Sequence, residues 1–220
     1  MITRVVGRGR TEPLDRDDFA ALRRPCGRVA VDVGTGDGRF PYHLAATDPD
    51  QFVVGIDPLD EPMGETAAKA ARKPAKGGRP NLALVRASIE ALPEELVGIA
   101  DHIYVQLPWG RLLEGIVLAD EAVIGGLAAL GRSGARLSVT LNGEMWVDST
   151  PARYAALPVP TVEYVAEVVA PGFAQVGLSI GPARLLAVGE TKELPTTWAR
   201  KLGHGRPHPR FVRFDGVADS

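Results

Sequence analysis

The stretch Val31-Asp32-Val33-Gly34-Thr35-Gly36-Asp37-Gly38 constrains this chain more than any other, because it closes the apolar run Arg28 to Val33 and precedes a helical start at Phe40 to Ala46. About twenty residues further on, a second apolar run, Phe52 to Ile56, ends at Asp57 and Pro58. A strand, a glycine-rich turn, a helix and a second strand ending in an acid make up the nucleotide-type crevice of an α/β sheet. The glycines allow close backbone approach to a ligand, and Asp57 can accept hydrogen bonds from both ribose hydroxyls. Further apolar runs at Leu82 to Arg86, Ile103 to Leu107, Arg136 to Leu141, Ala174 to Ile180 and Arg210 to Phe214 read as strands. Helical segments are expected at Glu65 to Arg72, Leu118 to Leu130 and Thr161 to Val169, and the Asp15 to Asp18 cluster reads as a helix N-terminus. Strands alternating with helices predict a Rossmann-like α/β fold with a seven-stranded sheet. A length of 220 residues suits a single domain, here with extended linkers at 58–80, 142–172 and 181–209.

Composition excludes several classes. The apolar share of 45% and the charged share of 24% belong to a globular chain. Gly, Pro or charge interrupts every apolar run well before the roughly 18 residues a membrane span needs, and the arginine-bearing N-terminus has no signal-peptide core. Cys26 is the only cysteine, so neither an internal disulfide nor a thiolate zinc cluster can form, and a reducing cytoplasm is the expected compartment. His204 and His208 are four apart, but Gly205, Pro207 and Pro209 forbid the helix that would pair them, so no metal site is expected. His43 and His102 stand alone. The net charge is -2, yet Ala67 to Ile89 and Leu194 to Phe214 contain no acid. The first run carries Lys69, Arg72, Lys73, Lys76, Arg79 and Arg86; the second carries Arg200, Lys201, Arg206, Arg210 and Arg213. The net charge argues against a nucleic-acid partner, but two such runs in a slightly acidic chain are hard to dismiss as solvated faces.

Details of the turn choose between ligands. The spacing is Gly-x-Gly-x-Gly, with Arg39 after the third glycine, whereas a pyrophosphate-binding turn needs Gly-x-Gly-x-x-Gly. Asp32 would repel a pyrophosphate but suits the cationic methionine portion of S-adenosylmethionine (SAM). Ser88-Ile89-Glu90-Ala91-Leu92-Pro93 resembles the segment flanking the adenine of SAM in class I methyltransferases.

Gln106-Leu107-Pro108-Trp109 lies where class I enzymes that methylate an adenine amino group carry an Asn/Asp-Pro-Pro-aromatic motif. The aromatic is present and the polar residue is replaced by Leu107, which favours a ring nitrogen whose lone pair is already available for in-line attack. Trp109 would stack on the base, and Trp198, interleaved with Arg200 and Lys201, offers a second face. Trp146 has no such company and reads as packing.

VDVGTGDG, KAARKPAKGGRPNL, LPWG and TTWARKL in this order resemble the aminoglycoside-resistance 16S rRNA methyltransferases of the Kam/Npm type, over a span from Arg4 to about Phe214. The resemblance implies methylation at N1 of the decoding-site adenine in the 30S subunit, with SAM as methyl donor, S-adenosylhomocysteine as product, and a monomeric enzyme. Carried over by position, Asp32, Gly34, Gly36, Asp57, Ser88, Ile89, Glu90, Leu107, Pro108 and Thr196 would contact SAM. Trp109 and Trp198 would hold the flipped adenine. Lys69, Arg72, Lys73, Lys76 and Arg79, with Arg200, Lys201 and Arg206, would grip rRNA phosphates. The chain departs from the pattern at Arg111, where a small hydroxyl residue is more usual, and in its Gly-His-Gly-Arg-Pro-His-Pro run. A SAM methyltransferase of another RNA or of a small molecule, and a SAM- or RNA-binding homologue with little activity, stay open at this level.

Overall fold

The computed structural model describes residues 1–146, 150–187, 190 and 210–219. Its strands are β1 (Ile2–Gly7), β2 (Arg10–Leu14), β3 (Arg28–Val33), β4 (Gln51–Asp57), β5 (Leu82–Arg86), β6 (Ala100–Gln106), β7 (Gly131–Asn142), β8 (Leu178–Ile180), β9 (Arg184–Leu185) and β10 (Phe211–Ala218). The helices used below are α1 (Arg16–Arg23), α2 (Arg39–Thr47), α3 (Gly64–Ala70), α4 (Gly110–Val117) and α5 (Glu121–Leu130). The strands form one sheet in the order β2-β1-β5-β4-β3-β6-β7-β10-β8, with β9 paired to β10. Seven of them, β5-β4-β3-β6-β7-β10-β8, are the strands expected from the sequence; β1, β2 and β9 are added.

β3 lies parallel to both β4 and β6. From β3 the chain winds outward through α2, β4, α3 and β5, then returns to the other side of β3 as β6. This reversal opens a crevice beyond the carboxyl ends of β3 and β6, the place where α/β sheets bind ligands. Burial explains why the strands read so clearly: Phe52, Val53 and Val54 of β4 are wholly inaccessible, as befits a strand covered on both faces. On one face, Tyr42 and Ala45 of α2 and Ala67 of α3 pack with Val5, Val53, Leu82 and Leu84. On the other, Leu113, Ile116, Ile124 and Leu127 of α4 and α5 pack with Val31, Ile103 and Val139.

Several boundaries differ from expectation for local reasons. The N-terminal hairpin pairs Ile2 with Leu14 and joins the sheet through β1 and β5, although Arg4, Arg10, Glu12 and Pro13 hide its alternation. The helix expected at 118–130 begins only at Glu121: Ala119 has φ 50°, and Asp120 caps the new helix by accepting from the Ala122 amide at 3.1 Å. The Asp15 cap holds as read, accepting from the Asp18 amide at 2.8 Å. The helix expected from Thr161 to Val169 extends over 162–175, with a π-wound middle at Val165–Val169, so the strand expected from Ala174 shrinks to β8.

Candidate active site

The glycine-rich turn is tied to the end of β4 by its backbone. The Gly34 and Thr35 amides donate to the Ile56 carbonyl at 2.9 and 3.0 Å, and the Gly36 amide donates to Asp57 Oδ2 at 2.9 Å. Asp57 Oδ1 accepts from the Leu59 amide at 2.9 Å, and burial raises its pKa. From the other side, Thr66 Oγ1 of α3 donates to the Asp37 carbonyl at 2.6 Å. Gly36 has φ 56°, and a Cβ built there meets nothing within 4 Å, so the turn needs glycine for its conformation and borders open space.

Asp32 is 2% exposed, and its Oδ1 has no hydrogen-bond partner among the described residues. Burial, with the carboxylates of Asp57 and Asp37 adding to it and Thr35 opposing, pushes its pKa to about 7. A buried carboxylate with one oxygen left unpartnered is costly, and a bound cation would relieve it. The methionine ammonium of SAM fits that requirement, as the ribose fits Asp57. Gln106 Oε1 and Thr140 Oγ1, paired across β6 and β7, are likewise buried without a partner among the described residues, at the same ends of the sheet.

The segment after β5 is bound into the same region. Ser88 Oγ donates to Glu90 Oε2, and Arg111 of α4 reaches Glu90 at 3.8 Å and Asp120 at 2.9 Å. The cation that departs from the family pattern is therefore ion-paired, and with Ile89, Glu90 and Gly126 it lines an open cleft of about 630 Å³.

The turn after β6 is shaped by unusual backbone. Leu107 has φ 52°, donates its amide to the Thr140 carbonyl at 2.8 Å, and packs its side chain against Leu186 and Phe211. Its side chain is committed to that cluster, so any ligand contact from Leu107 falls to its backbone. After Pro108, Trp109 stands at the start of α4 and is 39% exposed, more than a core tryptophan would be. Tyr154, which no sequence signal singled out, reaches this turn from 44 residues away: its hydroxyl accepts from the Gly110 amide at 2.6 Å. Trp146 donates its indole N–H to the Leu157 carbonyl at 3.0 Å and packs against the core, in keeping with a structural role.

Of the six cations of the 67–89 run, Arg86 pairs with Asp60 at 3.7 Å, and the other five divide into two groups. Tyr42 is flanked by Lys69 Nζ at 4.4 Å and the Arg79 guanidinium at 4.8 Å from its ring, and its hydroxyl donates to the Gly77 carbonyl at 2.5 Å. The loop closes on itself: the Arg79 amide donates to the Ala70 carbonyl at 2.8 Å, and a Cβ at Gly78 would lie 1.7 Å from the Arg72 carbonyl oxygen, so only glycine fits. Arg72, Lys73 and Lys76 are exposed and make no ion pair among the described residues. Trp198, Thr196, Arg200, Lys201 and Arg206 lie outside the described residues, as do His204 and His208. His102 is 3.0 Å from Ser138 Oγ, and burial, with help from Arg136, pushes its pKa down to about 4. Among the described residues no helix is long and apolar enough to cross a membrane, and no group of three or more His, Cys, Asp or Glu could hold a metal ion.

A family model described as NpmA, 16S rRNA (adenine(1408)-N(1))-methyltransferase, matches residues 3–215. The curated 16S rRNA (adenine(1408)-N(1))-methyltransferase of Streptoalloteichus hindustanus is 40% identical over 215 residues, covering 98% of this chain and 96% of its own. The protein of the same name from Escherichia coli is 31% identical over 208 residues, covering 94% of each. Among solved structures, a tryptophan-to-alanine mutant of the corresponding Catenulisporales acidiphilia methyltransferase, with cosubstrate SAM, superposes with a TM-score of 0.93 at 37% identity, covering 100% of this chain and 98% of that one. The 16S rRNA methyltransferase KamB superposes with a TM-score of 0.90 at 37% identity, covering 99% and 98%. With its crevice at the switch between β3 and β6 and its match running from residue 3 to residue 215, the chain belongs to the 16S rRNA (adenine(1408)-N(1))-methyltransferase family.

Proposed function

We propose that this protein transfers the methyl group of SAM to N1 of adenine 1408 of 16S rRNA in the 30S subunit, and that the mark confers aminoglycoside resistance. The observation that carries the reading is the adjacency of two turns at the switch point, one preceded by the buried carboxylate of Asp32, whose Oδ1 has no partner among the described residues, and the other presenting half-exposed Trp109. Asp32 would hold the ammonium of SAM, Asp57 the ribose hydroxyls, and Ser88, Ile89 and Glu90 the adenosine side, with the Gly34–Gly36 backbone beneath. SAM supplies a methyl group made electrophilic by its sulfonium. The chain's own task is positioning: Trp109, with Trp198, would stack on the extruded base so that its N1 lone pair lies in line. No general base is needed, since neutral adenine N1 carries no proton. Methylation leaves the ring positively charged and removes the acceptor through which a decoding-site aminoglycoside would bond to that edge. Arg72, Lys73 and Lys76 would contact rRNA phosphates directly, while Lys69 and Arg79, which flank Tyr42, would hold the loop in shape.

Primer extension on 16S rRNA tests this, after incubation of the protein with SAM and unmethylated 30S subunits, because an N1-methyl group blocks reverse transcriptase. A new stop at adenine 1408 is expected. Absence of a stop, with SAM binding verified in parallel, would overturn the assignment.

A further inference from the structure

The 143–172 segment contributes one side chain to the turn that carries Trp109. Tyr154 closes a short 3-10 turn, Ala152–Tyr154, and is 1% exposed. Its hydroxyl oxygen accepts from the Gly110 amide at 2.6 Å, the first N–H after Trp109 and one of the donors that a helix start leaves without an internal partner. No side chain of α4 itself caps this end, so the cap comes from the insertion. The Tyr154 ring also lies 6.0 Å from that of Trp109, tilted by 50°. Tyr154 is held in turn. The Arg153 guanidinium sits 5.0 Å above its ring and pairs with Glu114, one turn further along α4, at 2.8 Å. The insertion is thus clamped to α4 at two points around the residue that would stack on the target base.

We propose that Tyr154 is a positioning residue for methyl transfer: its hydroxyl fixes the Trp109–Gly110 peptide, and so the plane of the Trp109 indole, before the base arrives. This rests on the reading of Trp109 as the base platform. Replacing Tyr154 by Phe keeps the ring but takes the acceptor from a part-buried amide, which allows the platform to turn.

The test compares Tyr154→Phe and Trp109→Ala with the native protein, measuring SAM affinity by calorimetry, 30S affinity by filter binding, and the single-turnover rate of methylation on saturating 30S. For Tyr154→Phe the expected result is a rate lowered about tenfold, the scale of one hydrogen bond lost, with both affinities within about twofold of native. A native rate in Tyr154→Phe beside an inactive Trp109→Ala would overturn the positioning role and leave the platform standing. Loss of SAM binding in Tyr154→Phe would equally overturn it, since the hydroxyl would then support the fold at large. Native activity in Trp109→Ala would remove the platform itself.

Discussion

Asp32 is where the fold bears a cost that a ligand can relieve. Its folded pKa of about 7 lies above the ordinary 3.8, so the folded chain holds this proton more tightly than the unfolded one. On that account the SAM-free protein loses stability as pH climbs from about 4 to about 7, through the window between the two values. A cation beside Asp32 favours the ionised form, so SAM affinity should rise with pH, approaching tenfold per unit below about 7 and levelling above it. Calorimetric titration between pH 5.5 and 7.5 reads this. Asp32→Asn should abolish both the affinity and its slope, while leaving the SAM-free melting temperature at pH 8 no lower than native, because a charge whose burial costs more than its contacts return has been removed. A native pH slope in that variant would show that the carboxylate is not the group that titrates. Such a carboxylate is visible in sequence only as an acid before a glycine-rich turn; its burial comes from the strands on either side of β3.

At the scale of elements, the basic loop after α3 is a shaped surface. Lys69 and Arg79 both lie over the Tyr42 ring, and the Tyr42 hydroxyl ties down the Gly77 carbonyl next to Lys76. Two substitutions should therefore act differently on 30S binding. Lys73→Ala together with Lys76→Ala removes charge, and the slope of log affinity against log salt should flatten by about one per residue. Tyr42→Phe removes no charge, and should weaken 30S binding several-fold with the salt slope unchanged. Filter binding across a salt series separates the two, and SAM affinity should stay native in both. If Tyr42→Phe binds 30S as the native protein does, the loop keeps its shape without the tyrosine hydroxyl. The acid-free run was plain in the sequence. Which of its cations face solvent was not, because that depends on an aromatic ring from α2.

Across the whole molecule, the N-terminal hairpin protects the edge of the sheet at β5, burying Ile2, Val5 and Leu14. Removing residues 1–14 should lower stability by about 5 kcal/mol or more from lost apolar burial alone, and leave a strand edge prone to self-association. Urea unfolding and light scattering measure both effects; unchanged stability would show that the hairpin merely rests on the sheet. What the sequence by itself determined was the alternation of strands and helices, the glycine-rich turn with Asp32 before it and Asp57 at the end of the next strand, and the LPWG segment. These depend on local apolar period and on residue types that few conformations tolerate. The tertiary structure decided that β6 lies beside β3, which brings the Asp32 and Trp109 turns to one crevice, and that Tyr154 reaches Gly110. Strand neighbours and contacts between distant segments follow from how whole layers bury their apolar faces, and no local run of residues encodes that.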